Sequence, residues 1–143
     1  MGIKDDLLKI RVATTAVTST EAGRTTKTRH TTGAVVVEID KCPEGGVPIE
    51  MIAAADTGTS NDKTMIVTIE GSDELASELL TVATFPTLTY DDTTAVCMVR
   101  RVATQLKYLR SVITVAGSNG TISRNFEINV GVSLLDDDGG YTG

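Results

Sequence analysis

The sequence predicts an all-β domain, a β-sandwich or jelly roll of about eight antiparallel strands with an extended N-terminal arm. Three observations lead there. Short apolar runs rich in Val, Ile and Thr recur along the chain and alternate with period two. Turn residues such as Pro43, Gly45, Gly46, Pro48 and Asn119-Gly120 separate them. No periodic apolar stripe of helical length appears. A chain of 143 residues makes one ordinary domain. Folding a chain this long hides roughly two-thirds of its unfolded surface from water, enough for a real core.

The elements follow in order. Residues 1–7 read as a loose arm, and Leu8, Ile10 and Val12 alternate with Lys9 and Arg11 to open a first strand over 8–17. Residues 18–33 are Thr-rich, carry Arg24, Lys27, Arg29 and His30, and have no apolar face. They are a long loop, an edge strand or an extended arm. Ala34 to Ile39 is a β-branched strand, and Ile49 to Ala55 a weaker one after the Pro/Gly turn. Thr64 to Gly71 places Met65, Val67 and Ile69 on one side. Ser72 to Leu80 offers Leu75, Leu79 and Leu80 to one face of a short helical turn, and Thr81 to Phe85 returns to strand. Val96 to Val102 is a strand.

The strongest local signal lies from Lys107 to Leu134. Tyr108 to Val115 puts Leu109, Ile113 and Val115 on one face. Asn125 to Leu134 alternates Phe126, Ile128, Val130, Val132 and Leu134 against Glu127, Asn129, Gly131 and Ser133. With Asn119-Gly120 between them, the two arms read as an antiparallel hairpin. The acidic end, Asp136-Asp137-Asp138 followed by Gly139 to Gly143, reads as disordered. The division is thus 1–33 as arm, first strand and Thr-rich loop, 34–135 as sandwich core, and 136–143 as acidic tail.

Composition narrows the function. The net charge of −6 argues against nucleic acid or an anionic membrane surface as the main partner. There is no Trp, and aromatics are 3% of the chain, so stacking platforms are scarce. No apolar stretch is long enough to span a bilayer, and Met1-Gly2-Ile3-Lys4-Asp5-Asp6 has the character of a cytosolic start. Cys42 and Cys97 make neither a disulfide framework nor a zinc site. Cys97, inside an apolar run, reads as a small buried hydrophobe. A Cys42–Cys97 bridge stays open, with reduced thiols as the cytosolic default.

No catalytic, cofactor or metal set emerges. His30 is the lone histidine and has no nucleophile motif beside it. Asp56, Asp62, Asp91 and Asp92 sit in loops without the spacing of a calcium motif and read as solvated turn residues. Asn119-Gly120-Thr121 matches a glycosylation sequon, but the turn explains the same residues. The basic set Arg24, Lys27, Arg29, Arg100, Arg101, Lys107 and Arg110 either meets an acidic partner or guards strand edges against aggregation. Partner contact is assigned to Arg24, Lys27, Arg29, Arg100 and Arg101.

Several short motifs carry a resemblance: Ser72-Asp73-Glu74, Val82-Ala83-Thr84-Phe85, Lys107-Tyr108-Leu109-Arg110, and Ile113-Thr114-Val115-Ala116-Gly117, with a final alternating strand. In this order they resemble the capsid cement, or decoration, proteins of tailed bacteriophages, the group typified by the Bordetella phage cement protein. The resemblance covers roughly residues 34–134. It implies a sandwich or jelly-roll protein, a homodimer or homotrimer, that sits on the exterior of an HK97-type capsid. There it would clamp neighbouring major capsid subunits after synthesis in the host cytoplasm. It implies no enzyme activity and no cofactor. Tyr108, Leu109 and Arg110 carry over as fold markers only, and the arm with residues 18–33 is expected to reach adjacent subunits. Two other classes stay open: a carbohydrate-binding module, drawing on Tyr90, Tyr108 and Tyr141, and a small hydrolase using His30.

Overall fold

The computed structural model describes residues 9–12, 15–22, 33–34, 36–39, 45–73, 79–90 and 94–131. The arm at 1–7, Arg24, Lys27, Arg29, His30, Cys42, Asp91, Asp92 and residues 132–143 lie outside the described residues.

The described chain is all β, with strands β1 (Lys9–Val12), β2 (Glu21–Ala22), β3 (Gly33–Ala34), β4 (Val36–Glu38), β5 (Val47–Ala53), β6 (Thr64–Ser72), β7 (Leu80–Thr84), β8 (Leu88–Thr89), β9 (Val96–Val102), β10 (Tyr108–Ala116) and β11 (Phe126–Val130). They form two sheets. One runs β3-β1-β11-β5-β9. The other runs β2-β10-β6-β7, with β4 also on β10 and β8 also on β6. Every pairing between these strands is antiparallel.

Alternation decides which side of each strand is buried. Met65, Val67 and Ile69 of β6 and Leu109 and Ile113 of β10 are buried from one sheet; Val47, Ile49, Met51 and Ala53 of β5 and Phe126 and Ile128 of β11 are buried from the other. They form a single cluster. The sheets are therefore packed face to face as a sandwich. Each such Val, Leu, Ile, Met or Phe side chain contributes about 1.5–3 kcal/mol on leaving water.

Four sequence expectations need correction. The Lys107–Leu134 hairpin is not a hairpin. β10 pairs with β6, β4 and β2, whereas β11 pairs with β5 and β1, so the two arms belong to opposite sheets. Residues 117–125 arch across the sandwich instead. Gly117 and Gly120 take φ of 107° and 70°, so the Asn-Gly step does turn the chain, but within a longer loop.

The Ala34–Ile39 run is likewise two strands in different sheets: β3 joins β1, and β4 joins β10. Both ends of the proposed helical turn at 72–80 are strand, since Ser72 closes β6 and Leu80 opens β7; residues 74–78 lie outside the described residues.

Arg11, placed on a wet face, is 1% exposed. Its Nε donates to Glu21 Oε1 at 2.7 Å, Nη1 to the Phe126 carbonyl at 2.8 Å and Nη2 to the Thr15 carbonyl at 2.9 Å. A β-bulge between Lys9 and Arg11 breaks the simple alternation there. The guanidinium ties β1 of one sheet to β2 of the other.

Candidate functional site

β9 ends its sheet, and only β5 pairs with it among the described strands. A terminal strand is where a further strand can add to a sheet. Register fixes its faces. Met98 pairs with Met51 and Arg100 with Ile49, so Met98 and Arg100 share the side of the buried β5 residues. Cys97 opposite Ile52, Val99 opposite Glu50 and Arg101 opposite Pro48 lie on the outer side. Arg100 and Arg101 are both exposed, and Val99 between Met98 and Arg100 is 44% exposed. Cys97 is also exposed, which corrects the buried reading: β9 turns Val96, Met98 and Val102 inward, so its apolar run covers two faces.

The basic set separates by partner. Arg110 Nη2 lies 2.7 Å from Glu70 Oε1 across β10 and β6. Lys107 Nζ lies 3.6 Å from Glu38 and 5.4 Å from the Tyr108 ring centroid. Those cations are held within the fold. Arg100 and Arg101 have no ion-pair partner among the described residues, and in a chain of net charge −6 they form a local positive spot. The edge of the second sheet comes close by, since β7 and β9 are in contact. Leu80 on β7 pairs with Gly71, on the side of the β6 core residues, yet is 58% exposed. Sequence reading missed this opening. Leu80 looked helical, and nothing short of the strand order marks β7 and β9 as neighbouring edges.

The other candidates do not assemble. Tyr108 pairs with Ser72 at one end of β6; Tyr90 follows β8, which pairs with Thr64 at the other end. They share no platform. Among the described residues no cluster of His, Cys, Asp or Glu could hold a metal ion, and no helix is long and apolar enough to cross a membrane.

Asp56 and Asp62 serve the arch. Asp56 Oδ1 accepts from the backbone N–H of Gly58 at 2.8 Å and of Ser123 at 2.9 Å. Asp62 accepts from the backbone N–H of Asn119 at 3.0 Å and of Ser118 at 3.1 Å, and from both of their side chains. Asn119 and Ser118, in that order of effect, hold the Asp62 carboxyl below its ordinary value of 3.8. A depressed carboxylate stabilises the fold above its unfolded value and loses that contribution as pH falls through its folded value. Asp62→Asn should therefore melt below wild type at pH 7, and the gap should begin to narrow as the pH falls below 3.8 and close only below the lower folded value. Thermal unfolding followed across that range checks it.

Sequence reading also missed Arg124, which is fully buried. Its Nη1 donates to the Ala54 carbonyl at 3.0 Å and its Nη2 to the Thr89 carbonyl at 3.2 Å, linking the ends of β5 and β8. With Arg11, it makes a pair of cationic struts between the sheets.

No family model matches the chain. No curated protein matches it either.

Proposed function

We propose that this chain is a structural virion protein, a capsid cement protein that binds the exterior of an HK97-type shell beside the major capsid protein. One observation carries the reading. Four of the motifs behind the resemblance fall on neighbouring strands of one sheet: Ser72 closes β6, Val82 to Thr84 lies in β7, Tyr108-Leu109-Arg110 opens β10 and Ile113 to Gly117 leaves it, whereas the final alternating strand, β11, lies in the other sheet.

The physics suits such a role. A ligand that binds the assembled shell and not its dispersed subunits stabilises the shell by mass action, with no chemistry required. What it needs is a stiff body and an adhesive edge. The buried cluster supplies the first, and the terminal strand β9 with Arg100 and Arg101 supplies the second. Arg24, Lys27 and Arg29 would extend the basic contact.

The test is association with purified shells of the phage whose genome encodes the chain. Saturable co-sedimentation, with a raised disassembly temperature of the decorated shells, is expected. Arg100→Glu with Arg101→Glu should weaken binding by about tenfold or more, and added salt should weaken the wild type similarly. Shells that neither bind the protein nor gain stability from it dispose of the reading.

A further inference from the structure

We propose that Asn119 is a self-modification site: its side-chain amide is lost to attack by the Gly120 backbone nitrogen, and the carboxylate that replaces it releases the arch between β10 and β11. This concerns the chain alone and does not rest on the capsid reading.

The selection begins in the sequence. Of the four asparagines, at 61, 119, 125 and 129, only Asn119 is followed by glycine. A side chain on the following residue hinders its nitrogen from reaching the preceding amide carbon. Asp62, Phe126 and Val130 impose that hindrance after Asn61, Asn125 and Asn129; Gly120 does not. The structure makes the same choice. Asn119 and Gly120 are both exposed. The Gly120 N–H makes no hydrogen bond among the described residues, so its nitrogen is free to react. By contrast Asn125 Oδ1 is buried, and Asn129, inside β11, is 5% exposed.

The step balances with water alone. Hydroxide takes the Gly120 N–H proton, and the nitrogen bonds to the side-chain carbonyl carbon of Asn119. The bond from that carbon to Nδ2 breaks, and ammonia leaves with a proton returned from water. Water then opens the cyclic imide. Opening at the side-chain carbonyl leaves aspartate at position 119. Opening at the main-chain carbonyl leaves isoaspartate, whose backbone is one atom longer. One water is consumed and one ammonia released, with nothing oxidised or reduced.

Asp62 is what the new group meets. Its carboxylate accepts from the Asn119 N–H at 3.0 Å, Asn119 Nδ2 at 3.2 Å, the Ser118 N–H at 3.1 Å and Ser118 Oγ at 3.3 Å. A carboxylate at position 119 has no proton to donate. The contact between Nδ2 and Asp62 Oδ2 becomes one between two negative oxygens, which repel. Isoaspartate has no more room. A Cβ on Gly120 would already stand 2.7 Å from Ser60 Cα and from the Thr59 carbonyl oxygen, so the arch lies directly on the loop below. Either product parts residues 118–120 from residues 59–62. The bland alternative is that Asp62 grips the Asn119 amide firmly enough to keep it from the Gly120 nitrogen.

Ageing the full chain, folded, in mildly alkaline buffer separates the two. Peptide mass spectrometry reads where an amide nitrogen has been exchanged for oxygen and resolves the aspartate and isoaspartate forms. We expect conversion at Asn119 at least about tenfold faster than at Asn125 or Asn129, whose surroundings must open first. The consequence is read on fresh variants at pH 7. Asn119→Asp should lower the thermal midpoint of the wild type. It should lower it much less in the Asp62→Asn background, where an amide faces the new carboxylate. No conversion at Asn119 while the protein stays folded overturns the proposal, because the clamp then protects the amide. Equal losses of midpoint in the two backgrounds overturn it too, because the new carboxylate then does not act on Asp62.

Discussion

Arg11→Ala should lower the unfolding free energy by about 3–5 kcal/mol, the range for removing one partner of a buried pair. The guanidinium is 1% exposed and donates, among its bonds, to the Glu21 carboxylate, to the Phe126 carbonyl and to the Thr15 carbonyl. Glu21 retains 30% exposure, so water can recover part of its loss and hold the figure toward the low end. The Phe126 carbonyl has no such recourse, since Phe126 is fully buried. For a domain of this length 3 kcal/mol moves the midpoint by roughly 10 °C. Glu21→Gln should cost less, because one acceptor survives. Urea unfolding of the variants measures both, and an Arg11→Ala midpoint equal to wild type removes the strut from the account.

The same residue shows where sequence reading stops. Period-two alternation reports which side of a strand is wet only when the ladder is regular and the polar residue has nothing to meet. At Arg11 neither condition holds, because the bulge shifts the register and Glu21 waits in a stretch with no apolar face. Where both conditions hold the pattern reads true: Met65, Val67 and Ile69 are buried as their spacing requires.

Alternation also cannot name a neighbour. The apolar sides of β10 and β11 were legible, and both point into the core. Whether the two strands lie side by side or face each other across it depends on long-range pairing. β6 takes the place beside β10 that the hairpin reading gave to β11. At the candidate edge, the charges of Arg100 and Arg101 were plain from sequence. Their placement on opposite faces of a terminal strand was not, because edge position is a property of sheet order.

Among the described glycines with a close backbone neighbour, Gly58→Ala should be the most damaging substitution. An added Cβ would stand 1.9 Å from the Thr121 carbonyl oxygen and 2.7 Å from its carbon, and both are backbone atoms. That oxygen cannot easily withdraw, since it accepts from the backbone N–H of Thr59 at 2.6 Å and of Ser60 at 2.9 Å. The arch between β10 and β11 rests on the loop after β5 at this crossing. Ala can relieve the overlap only by parting the two segments, which breaks those bonds and strains the Asp56 bridge to Ser123. Overpacking of this kind costs about 1–3 kcal/mol, and the lost hydrogen bonds add about 1 kcal/mol each. Gly45→Ala is the matched control. It has φ of +89°, so Ala is strained there, but nothing lies within 4 Å of its added Cβ. Its cost should stay near 1 kcal/mol, the left-handed penalty alone. If the two variants unfold at the same urea concentration, the crossing is not a point of close backbone contact, and the arch has lost its footing.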